Sequence, residues 1–500
     1  MNRLMMAQRI TKFILDNKLL VLILLFGLFF RTYEVVGRFE FAHDGDLYSW
    51  IIKDITENHH LRLIGQLTSA KGIFIGPLFY YLLTPFFIIT KMDPIGAIIP
   101  FTILSLLAIF SYYYCLKQLF NREIGLVAAF LNSVLLWIVQ FDRWVVPSNP
   151  TNIWVIWYFY VIINLARGNF KVLWILAILI SLIWHIHIAL APALLAVPVA
   201  VFLSRKFPTT KQLIVFIALT LFFSLPLIVF EVKHGFSQTL SLIQNFSINQ
   251  GGGSGLEKFY LLNLKATLEI VNLFFYPQIP NFLKSLPFIP IILLSGIFLI
   301  RKKLLTIAEL LALYAWVVGV FLFYTFSSTI VSEYYISNIK IIFLAIISLY
   351  FYLLFKTRVG RILVLMLFGI ILVRNLHFII TQDYYHKGYI EKKALVEFIK
   401  NDSLKQEFPC IAVSYITTPG ENVGFRYFFY LEKLHVNQPS SGAPVYTIVL
   451  PSELAEGKRE KLFGHIKVIP PDQISSKEKI AESCSGQNSN LTDSLFGYTE

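Results

Sequence analysis

An α-helical polytopic membrane protein carrying a small soluble α/β domain at its C-terminal end is the fold class this sequence predicts. Three observations lead there. Of the 500 residues, 56% are hydrophobic and only 15% are charged, against about 25% charged in soluble chains. Apolar stretches long enough to cross a hydrocarbon core of roughly 30 Å recur from Leu19 to Ile380. After Thr381 the pattern stops, and the remaining residues are polar with nearly balanced charge.

Composition also closes off several classes. Three cysteines among 500 residues make no disulfide scaffold, and 21 prolines and 26 glycines are too few for a low-complexity chain. The net charge of +13 would suggest nucleic acid in a soluble chain; here its placement along the membrane segments matters more, and no nucleic-acid partner is expected.

Spans are predicted near 19–37, 95–116, 124–140, 150–166, 172–187, 188–204, 212–230, 285–300, 304–326, 337–355 and 362–380, about eleven transmembrane helices. The segment 73–91 is apolar enough to span, yet Gly76, Pro77 and Pro85 interrupt it. Basic clusters decide between its two readings. If 73–91 stays on one side, then Arg3/Arg9/Lys12/Lys18, Lys117/Arg122, Arg167/Lys171, Arg205/Lys206/Lys211, Arg301/Lys302/Lys303 and Lys356/Arg358/Arg361 share one face, as the positive-inside rule requires. The N-terminus is then inside. The transmembrane domain runs over 1–380, with a first extracytoplasmic loop at 38–94 carrying two juxtamembrane helices and a second outer loop at 231–284. Residues 381–500 form the soluble extracytoplasmic domain, whose alternating helical and strand patterns read as a small α/β unit. Cys410 and Cys484 both fall outside and can pair, although their spacing does not require it.

Under this topology most acids of the membrane half lie on the outer side, and ionisable groups next to spans are functional candidates by default. Asp44 and Asp46 flank Gly45 just past the first span; such a pair can share a divalent cation (Mg, Mn or Ca), supply a general base, or simply cap the following helix. Lys71 precedes an interfacial aromatic run, either holding a phosphate or snorkelling. Arg143 follows Asp142, with which it can pair, ahead of a Ser-Asn-Pro turn. His185 and His187 stand two residues apart, a spacing that points them apart on a helix and argues against a zinc site. Glu231, Lys233 and His234 follow the seventh span, ahead of a glycine run at 251–255 that reads as a mobile lid or a linker. Glu333, Tyr334, Tyr335 and Lys340 stand at the outer entry of the tenth. Walker, HExxH, GxSxG and CxxC motifs are all missing.

In their order, HDGD, KGIFIGPLFYYLLTPF, DRWVVPSNP, WHIHIAL, FEVKHGF and EYYISNI resemble the polytopic GT-C glycosyltransferases, in particular the protein O-mannosyltransferase and aminoarabinose-transferase group, family 39 and relatives. The likeness covers most of 15–380 and departs at Asp-Gly-Asp, where the family has an adjacent Asp-Glu. The resemblance implies a plasma (inner) membrane enzyme that transfers a sugar, with inversion, from a polyprenyl-phosphate donor to a protein, lipid or glycan acceptor on the outer side. It further implies Asp44 as base with Asp46 beside it, Lys71, Arg143, Lys233 and His234 as donor-phosphate ligands, and His187, Glu231, Glu333, Tyr334 and Tyr335 near the acceptor. No cofactor is required by it, a divalent metal at Asp44 and Asp46 being optional. A lipid-linked-glycan transporter would instead show internal repeats and mid-span charges, and a non-catalytic scaffold would leave the outer polar groups unexplained.

Overall fold

The structure is a computed structural model that describes residues 16–68, 70, 72–247, 251–284, 288–332, 335–384, 386–472 and 475–492. Lys71, Glu333 and Tyr334 lie outside the described residues. Helix α1 (Lys18–Thr32) leads into the segment 38–94, with α2 (His43–Glu57) and α3 (Leu78–Ile89). Then follow α4 (Ile98–Leu119), α5 (Arg122–Val134), α6 (Leu136–Arg143), α7 (Thr151–Ala166), α8 (Leu173–Ile186) and α9 (Ala196–Ser204). The membrane half closes with α10 (Thr210–Phe223), α11 (Leu225–Lys233), α12 (Ser237–Ser247), α13 (Leu256–Phe275), α14 (Asn281–Lys284), α15 (Phe288–Arg301), α16 (Ile307–Phe326), α17 (Lys340–Phe355) and α18 (Arg358–Thr381).

Polar residues in the short connections set many helix starts. Asp93 accepts the Ile95 N–H and Pro94 begins the turn that opens α4, Asn121 accepts the Ile124 N–H of α5, and Thr306 with Glu309 forms a capping box on α16. Among the described residues four helices are long and apolar enough to cross a membrane: Pro94–Leu119, Ile307–Phe326, Ser337–Phe355 and Arg358–Thr381. Two further apolar stretches are broken, α5 against α6 and α10 against α11, each by 63°. Pro226 sits at the start of α11, where a missing N–H costs nothing inside α11 but cannot continue α10. The stretches expected at 172–187 and 188–204 are shorter apolar helices, the second opening as a 3-10 segment, Ile188–Leu195, around Pro192.

The C-terminal unit has α19 (Tyr389–Lys405), β1 (Ile411–Thr417), α20 (Arg426–Leu431), β2 (Val436–Asn437), β3 (Val445–Leu450), β4 (Lys461–Phe463) and β5 (Ile466–Ile469). The sheet order is β2-β1-β3-β5-β4, with β1 parallel to β2 and β3, and β5 antiparallel to β3 and β4. Its core is continuous with the segment 38–94: Phe41, Tyr48 and Ile52 join Leu395, Phe428, Tyr446 and Val468 in one buried cluster. Two segments that share a dry core lie on the same side of the membrane, so the chain between them crosses an even number of times. Helix α3, with 12 residues, is about 18 Å long at about 1.5 Å per residue. Tyr80 and Leu83 bury it in that same cluster.

Cys410 and Cys484 are disulfide-bonded, closing 74 residues of chain. A Cys410→Ser/Cys484→Ser protein is expected to lose about 2–4 kcal/mol of stability, measured as a lowered melting temperature that reductant reproduces in the wild type.

Candidate active site

The first turn of α2 places Asp44 and Asp46 on different sides of the helix, because neighbours two positions apart diverge by roughly 200°. Asp44 lines a cavity of about 180 Å³ with Gln66, Thr68, Trp144, Ser148 and His187. Its Oδ1 accepts from Gln66 Nε2 at 3.3 Å, and Gln66 is fixed twice by the buried Tyr80, whose hydroxyl donates to Gln66 Oε1 at 3.1 Å and accepts the Gln66 N–H at 3.0 Å. Asp46 is buried against the C-terminal domain, where it accepts the Tyr427 N–H at 3.0 Å. The expected Asp44/Asp46 ligand pair is therefore split, and among the described residues no group of three or more His, Cys, Asp or Glu side chains converges as a metal site.

Burial pushes the Asp46 carboxyl up, against the lowering effects of the Tyr427 N–H, Arg426 and Lys392. Lys392 lies beside it, donating to Phe41 O at 2.8 Å and Val423 O at 2.9 Å. Its ammonium is pushed down to about 8 by burial, with Asp46 and Glu40 opposing. A folded value below the unfolded one, about 10.4, means that the unfolded chain holds the extra proton between them. Stability is thus expected to rise as pH goes from about 8 to about 10. Melting curves of the wild type and Lys392→Met across that window check this, since the slope should disappear in the variant.

Several expected ligands are engaged elsewhere. Arg143 is not a wall of the Asp44 cavity: its Nε and Nη2 donate to Phe30 O at 3.1 and 2.7 Å, and Nη2 to Tyr33 O at 3.0 Å, capping the end of α1. Asp142 instead pairs with Arg31. Glu231 accepts the Gln238 and Thr239 N–H groups at 3.1 and 3.0 Å and so caps the start of α12. Lys233 and His234 are exposed, with the His234 ring stacked on Phe230 at 4.1 Å. His187 does reach the cavity; its Nδ1 accepts the Ala189 N–H at 3.0 Å, and its ring lies 5.2 Å from that of Tyr335. The glycine run is pinned: Gly252 and Gly255 N–H donate to Ser328 O and Thr325 O at 2.9 Å each, and Lys258 Nζ reaches Gly253 O at 3.2 Å. It is no open lid.

Two larger spaces adjoin the Asp44 cavity. An apolar groove of about 420 Å³ between α3, α4, α7 and α8 shares Pro147 and Ile186 with it. At its rim Gly76 donates its N–H to Trp184 O at 2.7 Å, and a Cβ there would collide with the His185 ring. On the other side of Trp144 lies a cavity of about 640 Å³ whose walls include Glu40, Trp137, Lys265, Glu269 and Lys340. Sequence reasoning passed over Gln66, Trp137, Trp144 and Glu269. The last had a visible signal, since Lys265 and Glu269 interrupt the apolar face of α13 four residues apart.

No family model matches the chain, and no curated protein sequence matches it. Among solved structures it is similar to ArnT from Cupriavidus metallidurans bound to undecaprenyl phosphate, at 10% identity over 90% of this chain and 97% of that one, with a TM-score of 0.53. It also aligns with the oligosaccharyltransferase AglB of Archaeoglobus fulgidus in complex with an inhibitory peptide and a dolichol-phosphate, at 12% identity over 86% of this chain and 69% of that one, with a TM-score of 0.47. The fold is similar to that of ArnT. The chain is mostly helical, with apolar helices long enough to cross a membrane and a small sheet near its C-terminus.

Proposed function

We propose that this protein is a membrane glycosyltransferase that moves a sugar from a polyprenyl-phosphate donor to an acceptor with inversion, Asp44 acting as base. The observation that carries the reading is a carboxylate in a cavity that shares two wall residues, Pro147 and Ile186, with an apolar groove. An isoprenoid tail fits the groove by its lining, and the phosphate it carries then stands at the polar end beside Asp44. The acceptor O–H or N–H gives its proton to the Asp44 carboxylate as its heteroatom bonds the anomeric carbon; the bond from that carbon to the phosphate oxygen breaks and its electron pair leaves with the phosphate. The negative charge gained by the phosphate needs a cation. Lys71, three residues beyond Thr68 of the cavity wall in sequence, is the proposed partner; His187 on the wall itself is a neutral ring, its Nδ1 accepting the Ala189 N–H, and adds no charge. The Cys410–Cys484 bond supports an oxidising, extracytoplasmic setting at the plasma membrane for the C-terminal domain, and for the site packed beside it.

The test is to incubate purified, detergent-solubilised protein with radiolabelled polyprenyl-phosphate sugars and membrane extract. Release of polyprenyl phosphate together with labelling of an acceptor is the expected result. A melting temperature that polyprenyl phosphate does not raise, together with no turnover of any donor, would overturn the reading.

A further inference from the structure

The largest cavity near the site is the one beyond Trp144, and its walls are of mixed chemistry. Helix α6 supplies Trp137, Gln140 and Phe141, α13 supplies Glu269, and α17 supplies Lys340. Trp137 Nε1 donates to Glu269 Oε2 at 3.1 Å, and Lys340 Nζ lies 2.5 Å from the same oxygen. That ammonium also stands 5.6 Å from the Trp137 ring and 5.8 Å from the Phe141 ring. The aromatic rings are therefore held in place around a paired carboxylate and ammonium.

We propose that this cavity is the acceptor site and that it takes a pyranose ring, so that the acceptor is a sugar-bearing molecule; the proposal rests on the glycosyltransferase reading. Its volume of about 640 Å³ falls within the roughly 300–1,000 Å³ of sites that hold small molecules. A sugar presents an apolar C–H face, which an indole covers, and a rim of hydroxyls that both donate and accept. The Glu269–Lys340 pair offers an acceptor and a donor side by side at the aromatic wall, and Gln140 offers both from one amide. Position agrees with chemistry: the cavity shares Trp144 with the Asp44 cavity, which in turn shares Pro147 and Ile186 with the apolar groove.

Titration calorimetry of the full-length protein in detergent provides the test, with methyl glycosides of glucose, mannose, galactose and N-acetylglucosamine set against blocked Ser, Thr and Asn tripeptides. Saturable binding of a glycoside is expected, weakened about tenfold, a loss of roughly 1.4 kcal/mol, by Trp144→Ala and by Glu269→Gln. Trp144 is 42% exposed, so its truncation leaves the core intact, and the amide introduced by Glu269→Gln still offers Trp137 an oxygen. In turnover, the acceptor KM should rise by a similar factor in Glu269→Gln while the donor KM stays unchanged; Trp144 also lines the Asp44 cavity, so Trp144→Ala is read by glycoside binding alone. Saturation by peptides alone, or glycoside binding by Trp144→Ala equal to that of the wild type, overturns the proposal. A raised donor KM with an unchanged acceptor KM overturns it too, by placing the donor's own sugar in the cavity. Trp144-dependent glycoside binding without turnover of any donor would instead count against the transferase reading and leave the sugar site standing.

Discussion

Asp44→Asn is expected to lower kcat for sugar transfer by about 10²- to 10⁴-fold, the usual contribution of a positioned general base. The size of the loss follows from the chemistry: a hydroxyl is a weak nucleophile until its proton has somewhere to go, and an amide cannot take it. The substitution should leave the fold intact, since the Asp44 side chain is only partly buried and its one described hydrogen bond, from Gln66 Nε2, can be replaced by one to the Asn oxygen. Donor KM should change little, because binding relies on the groove and the phosphate ligands. Single-turnover rates with saturating donor, beside melting curves of both proteins, separate the two effects. Equal rates in wild type and Asp44→Asn would remove Asp44 from the chemistry. Asp46→Asn should behave in the opposite way, affecting the contact with the C-terminal domain at Tyr427 and leaving the proton transfer itself alone.

Arg31→Met is expected to cost about 3–5 kcal/mol, the range for breaking a buried ion pair and stranding one partner. Arg31 is almost fully buried, with Nε and Nη2 on Asp142 Oδ2 at 3.0 and 2.5 Å, Nη1 on Ser133 O at 2.9 Å and Nη2 on Asn132 O at 3.1 Å. These bonds strap α1 to the break between α5 and α6, satisfying carbonyls that the 63° bend leaves without helical partners. The methionine leaves the Asp142 carboxylate buried with Asn152 as its remaining described partner, at 3.2 Å. A double Arg31→Met/Asp142→Leu protein should regain much of the loss, since no charge is then stranded. Thermal unfolding in detergent of the single and double variants checks this. Because the bend sets the direction of α6, which carries Trp137 and Phe141, Arg31→Met should also weaken acceptor use beyond its effect on stability.

The parts of this structure legible in the sequence are those that depend on local chemistry. Hydrophobic length marks Ile307–Phe326, Ser337–Phe355 and Arg358–Thr381, and the prolines of 73–91 forecast a short interrupted helix. The loss of apolar pattern after Thr381 marks the mixed sheet. Broken stretches were harder to see, because the bend at Leu135 has no proline and depends instead on Arg31, 101 and 102 residues away from the carbonyls it meets. The candidate site divides in the same way. Asp44 and His187 reach one cavity. Arg143, Glu231 and Asp46 have the right residue types, but their partners are the end of α1, the start of α12 and Tyr427, of which the last is 381 residues away. A charge written beside a span tells that it must be satisfied; it does not tell by whom. Arg31 itself stood in plain view as an ionisable group within an apolar run, the signal that most often marks a partner across the membrane domain.

The core shared by the segment 38–94 and the C-terminal domain has a consequence for how the protein is made. Phe41 and Lys392 are 351 residues apart in the chain, so at about 5–20 residues per second a ribosome needs roughly 20–70 s to deliver the second after the first. Throughout that interval the segment bearing Asp44 has emerged without the domain that covers its apolar face, and Asp46 waits without the Tyr427 amide. The full packing of α2 therefore arrives last, with the final quarter of the chain, and a polypeptide cut short before Tyr389 would carry α2 without its cover and Asp46 without the Tyr427 amide.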